Sequence, residues 1–176
     1  MWNSEKNVEE LRATHPLPAG TELTDCYIDF PVEGRLVRRD RRVLLRVGFG
    51  FWCSCQVCDQ PEELSRKDDE LRKEVWELSL VRLELLVTDE QEELYQMLGK
   101  AQRWLEVAIQ LKFKVSRQLE ACDALFKIAM LLGEFDRAVE AAEIGAGRAG
   151  IGFGENSKVV EDWERRKSNP VLYMIG

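Results

Sequence analysis

Three of the five cysteines fall within six residues, as Cys53-x-Cys55-x-x-Cys58, directly after Gly50-Phe51-Trp52. Thiolates at spacings of two and three residues can converge on one ion if the backbone wraps around it, and structural zinc takes four such donors in a tetrahedron. The spacing therefore predicts a zinc site, with free thiols and a disulfide or redox pair as the competing readings. No longer cysteine pattern supports iron–sulfur ligation. The fourth donor stays open. His15, the single histidine, sits in a His-Pro turn where a solvated imidazole is the ordinary state. Cys26 falls on a predicted strand and Cys122 on an apolar helix face, both places for a small core side chain. A site of three thiolates and water is labile, or borrows its last donor from a partner.

The elements that must hold this cluster divide at Pro61. Before it, short apolar stretches broken by turn residues predict strands over 10–14 and 22–28 around a Pro18-Ala19-Gly20 turn. Leu36, Val37, Val43, Leu44 and Val47 then stand among six arginines, which predicts a short helix burying those apolar residues and exposing the charges. The arginines at 38, 39, 41 and 42 read as a solvated helix face, with contact to nucleic acid or an acidic tail as the sharper alternative. After Pro61 the apolar period becomes helical. Leu71, Val75, Leu78, Val81 and Leu85 predict a helix ending near Val87, opened by a capping box at Ser65 and Asp68. Thr88 with Gln91 predicts a second capping box before a helix carrying Leu94, Leu98, Ala101, Leu105 and Ile109. Leu119, Cys122, Phe126, Ala129 and Leu132 mark a third helix, and Phe135, Ala138, Ala142 and Gly145 a fourth. Ser157 to Arg166 predicts a fifth. Small residues on the third and fourth let two antiparallel helices approach closely, as in a tetratricopeptide-like pair. No second copy recurs at a spacing of 34 residues, so an irregular bundle is expected rather than a regular array.

A chain of 176 residues, 45% hydrophobic and 32% charged, can bury one substantial core or two small ones. Its formal charge of −7 disfavours nucleic acid as a partner bound through net charge. The sequence has no apolar run of membrane-spanning length, and its first residues, MWNSEKNVEE, hold no apolar run of the kind a secretory signal needs. A cytoplasmic or nuclear location is the resulting expectation, and there clustered cysteines favour a metal over disulfides.

Two segments carry a family resemblance. The run Gly20-Thr21-Glu22-Leu23-Thr24-Asp25-Cys26-Tyr27-Ile28-Asp29 resembles the end of a SET domain, and Gly50-Phe51-Trp52-Cys53-Ser54-Cys55-Gln56-Val57-Cys58 resembles the post-SET segment that follows it. With the arginine-rich linker, the helical part and Phe153-Gly154-Glu155-Asn156, the chain is similar to the SET and MYND class of protein lysine methyltransferases. The resemblance implies a mainly α chain: a small β-rich SET remnant and a zinc-stapled crossover over 1–60, then a tetratricopeptide-like helical bundle over 61–176. It further implies that Tyr27 directs its hydroxyl toward the reacting amine as the catalytic residue. Phe51 would wall the lysine channel or the S-adenosylmethionine edge, and Cys53, Cys55 and Cys58 would supply three of four zinc ligands. The implied partner is a protein or peptide, such as a lysine-containing substrate or a histone tail, with no membrane. The family's Asn-His-Ser-Cys segment and glycine-containing cofactor loop do not occur in this sequence. The expectation is thus the carboxy-terminal part of a SAM-dependent methyltransferase, inactive alone. The alternative is a zinc-stabilised helical protein–protein interaction module.

Overall fold

The computed structural model describes residues 2–3, 7–9, 12–13, 16–22, 26–28, 32–85, 88 and 90–173. Two two-residue strands, β1 (Trp2–Asn3) and β2 (Val8–Glu9), pair antiparallel. Among the described residues eight helices follow: α1 (Val32–Arg35), α2 (Arg38–Phe49), α3 (Glu62–Ser79), α4 (Val81–Glu84), α5 (Gln91–Gln110), α6 (Val115–Leu131), α7 (Phe135–Phe153) and α8 (Lys158–Ser168). A 3-10 turn spans Pro170–Tyr173. The chain forms two compact units, one of Leu23–Phe113 and one of Lys114–Gly176 together with Met1–Glu22.

The β-rich remnant expected before residue 60 is not what the structure contains. Of the residues predicted as strands, Arg12, Ala13, Glu22, Cys26, Tyr27 and Ile28 are described and none is in a strand; the others lie outside the described residues. The physical reason is that, among the described residues, no sheet of three or more strands forms for these segments to join, and a strand pair by itself is marginally stable at best in water. Among the described residues the β1–β2 pair is the whole of the β structure. A SET domain is built on β-strands, so the helical chain overturns both the SET and MYND assignment and the methyltransferase reading that came with it.

In the Leu23–Phe113 unit the core lies between α3 and α5. Val75, Val81, Ala101, Trp104, Val107 and Ala108 are fully buried there. The helix starts differ from the predicted capping boxes. Pro61 precedes α3, so Ser65 lies inside the helix, buried, instead of capping it. Thr88 Oγ1 does meet the start of α5, accepting from the Glu90 N–H at 3.3 Å and bonding the Glu93 carboxylate. The helix predicted to reach Val87 breaks after Ser79 into the short α4; Val87 itself is outside the described residues.

Helix α2 reverses its predicted burial. Arg41 is 3% exposed and Leu45 5%, whereas Val37, Val43, Leu44 and Val47 face solvent. The cause is an ion network with α3. The Arg41 guanidinium donates to Asp69 at 2.7 Å and to the Leu36 carbonyl at 2.7 Å, and lies 3.7 Å from Asp68. Arg72 donates to Asp68 at 2.6 Å. The other Asp69 oxygen accepts from the Arg38 backbone N–H at 2.8 Å. Val37 provides no side-chain cap, so an α3 carboxylate satisfies one of the orphan amides of the α2 first turn.

In the other unit, α6 and α7 form a hairpin joined by Leu132–Gly133–Glu134. Ala121, Cys122, Ile128 and Ala129 of α6 and Ala138, Ala142 and Ala149 of α7 are completely buried, as the small-residue pattern predicts. Ser157 caps α8, its side chain accepting from the Val160 N–H. A Cβ placed on Gly145 would stand 2.4 Å from the Trp163 ring of α8. Trp163 is itself buried, so it has no room to retreat. Gly145→Ala should therefore destabilise the chain by about 1–3 kcal/mol, measured by urea unfolding, and an unchanged midpoint would contradict this packing.

Candidate metal centre

Helix α2 ends at Gly50, whose φ of 81° lies in the left-handed region and whose N–H donates to the Arg46 carbonyl at 3.1 Å. This glycine cap turns the chain into Phe51–Gln60, which joins α2 to α3. The Asp59 N–H donates to the Cys55 carbonyl at 2.9 Å. That closed turn folds Cys58 back toward Cys55. As a result the sulfurs of Cys53, Cys55 and Cys58 all lie within 4.8 Å of one another, so a small closure of the loop would bring them to the roughly 3.8 Å that separates thiolates on one tetrahedral zinc at about 2.3 Å. Among the described residues this is the one cluster of three or more potential ligands.

The electrostatics of Cys55 and Cys58 differ. Burial acts to raise the Cys55 thiol, but the backbone N–H of Cys58, the Cys53 side chain and the backbone N–H of Val57 outweigh it and hold Cys55 below its usual range. Cys58 is 5% exposed; burial first, then the charge of Cys55, pushes its thiol up to about 12. Amide donors aimed at one sulfur and a buried thiol beside it suit a cation that neutralises the cluster, because coordination deprotonates a thiol outright. The chemistry of the donor set fits a soft or borderline metal.

The remaining predicted residues fall as follows. Tyr27 is 59% exposed, with its ring edge-on to Phe49 at 5.1 Å and to Phe51 at 5.3 Å between centroids. The structure thus brings Tyr27 and Phe51 together in an aromatic cluster at the end of α2. Their roles in methyl transfer and in S-adenosylmethionine binding came only with the methyltransferase resemblance, which the helical architecture of the described residues overturns. Cys26 is exposed, and its sulfur lies 3.1 Å from the Ile28 carbonyl; it is not in the cluster. Cys122 is completely buried in α6, and burial pushes its thiol up to about 12 despite the nearby Arg148 charge. His15 lies outside the described residues.

Sequence reading missed the cleft beside this loop. A cavity of about 950 Å³ is lined by residues that include Arg39, Arg42, Val43, Trp52 and Ser65. The Arg42 guanidinium stands 5.6 Å from the centre of the Trp52 ring, a cation–π geometry that ties the residue before Cys53 to α2. The signal was present as Arg39, Arg42 and Arg46 at i, i+3 and i+7, one ridge of a helix. No family model matches the chain.

Proposed function

We propose that the chain is a zinc-stabilised helical module that acts by binding a protein partner. The observation that carries the reading is the convergence of three sulfurs within 4.8 Å in the segment between two helices. Thiolate donors select zinc, copper(I) or iron–sulfur clusters over harder ions, and a single C-x-C-x-x-C run suits one tetrahedral ion. Cys53, Cys55 and Cys58 would hold zinc, with a solvent molecule or a donor from elsewhere in fourth place. Bound there, the ion stabilises the turn that joins α2 to α3, and both helices keep fixed outer faces for a partner.

Metal removal tests the structural half of this reading. Zinc at about 100 times its Kd stabilises by roughly 2.7 kcal/mol, so chelation should lower Tm by on the order of 10 °C in a unit of this size. Cys58→Ser should make Tm indifferent to chelator. The thiols must lose protons to bind, so zinc affinity rises with pH and weakens from pH 8 to pH 6. A wild-type Tm unmoved by zinc or chelator rejects the metal site.

A further inference from the structure

We infer that the solvent face of α2, with the cleft beside it, docks an acidic peptide segment that carries an apolar anchor residue. This deepens the partner-binding half of the proposed function and does not depend on the metal half. On a helical period Val43 and Val47 lie on the side opposite the buried Arg41 and Leu45, and Arg39, Arg42 and Arg46 form the ridge next to them. Val47 is 80% exposed, and Val43, Leu44, Phe49 and Trp52 are each more than 40% exposed. Val43, Leu44 and Val47 neighbour one another on the helix surface, and an exposed apolar stripe of this kind marks an interaction site.

The charges beside the stripe decide what fits it. Asp69 is engaged by the Arg38 backbone and by Arg41, and Glu62 by the Arg38 side chain. Neither Arg39 nor Arg42 has a carboxylate within ion-pair distance among the described residues, and the Nε–H of Arg42 is buried without an acceptor. Two uncompensated guanidiniums thus border a cleft walled by Val37, Val43 and Trp52. Carboxylates of an incoming segment would take bidentate bonds from Arg39 and Arg42, while an aromatic or long aliphatic side chain enters against Trp52. A nucleic-acid backbone suits the surface less well. Glu62 and Asp69 line the same cleft, Asp40 stands on the same helix, and an apolar stripe offers nothing to a row of phosphates.

The test uses the full zinc-loaded chain as bait for a phage-displayed library of random 12-residue peptides, followed by fluorescence anisotropy on the selected peptides. The expected binders combine Asp or Glu with an aromatic or aliphatic anchor. They should weaken with added salt and lose at least tenfold in affinity to the Arg39→Glu/Arg42→Glu variant and to Val47→Asp. Failure to enrich binders, binders without an acidic excess, or equal affinity for the double variant would overturn the proposal. Tighter binding of a 20-nucleotide oligouridylate than of the peptides would overturn it in favour of RNA. Self-association of the wild type that Val47→Asp abolishes would overturn it in favour of a second copy. Zinc content, measured on the same samples, separates the two halves: peptide binding by a chain that takes up no zinc sinks the metal site alone, and a zinc-loaded chain without acidic binders sinks the docking surface alone.

Discussion

Asp69→Ala should lower the stability of the Leu23–Phe113 unit by about 3–5 kcal/mol, because it strands a buried guanidinium. Arg41 is 3% exposed, and its closest ionic partner is Asp69 at 2.7 Å; Asp68 is a full 3.7 Å away and already bonded to Arg72. The same substitution removes the acceptor of the Arg38 backbone N–H at the start of α2. Urea unfolding followed by tryptophan fluorescence reads the loss. The pair as a whole contributes far less than either half implies, since apolar residues of similar volume often replace a buried ion pair without loss. Arg41→Met/Asp69→Leu should therefore recover most of the stability that Asp69→Ala loses. A double variant as unstable as the single one would show that the α2–α3 contact does not rest on this pair.

The second large effect belongs to the α6–α7–α8 unit. Phe126 is 2% exposed, its ring centroid 6.2 Å from that of Tyr173 in an edge-on arrangement, with the Arg166 guanidinium 5.6 Å from its centre. Arg166 in turn donates to Asp123 at 2.6 Å and Asp162 at 3.1 Å, and the Tyr173 hydroxyl donates to Asp162 at 3.0 Å. Truncating the ring opens a cavity under a polar network that cannot collapse into it without breaking those bonds. Phe126→Ala should cost about 3–5 kcal/mol, and an unfolding curve superimposable on the wild type would contradict the packing described. Phe126→Leu, which keeps most of the volume, should cost under about 1.5 kcal/mol.

The helical part was legible because its pattern is long and periodic. Leu94, Leu98, Ala101 and Leu105 recur at helical spacing and are buried together, and Ser157 announces α8 with a side chain that caps it. The first sixty residues misled for two different reasons. Alternating residues around 22–28 look like a strand, but strand formation depends on partners that local sequence does not reveal. In α2 the apolar residues outnumber what the packed face can take. The chain buries Arg41, supported by two aspartates from α3 more than twenty residues away, and that long-range pairing leaves no local trace. The cysteine cluster was legible for the opposite reason. Three cysteines within six residues need only one turn, closed by the Asp59 N–H on the Cys55 carbonyl, to meet. The docking cleft was not, because its walls come from α2, the cysteine loop and α3 together.

Whether Cys53, Cys55 and Cys58 form one zinc site is read by native mass spectrometry of the chain reconstituted with zinc. The wild-type chain should carry one zinc, retained at micromolar free metal, and the triple variant Cys53→Ser/Cys55→Ser/Cys58→Ser none, with Cys26→Ser and Cys122→Ser leaving the stoichiometry unchanged. A wild-type chain that carries no zinc, or a triple variant that carries as much as the wild type, would contradict it.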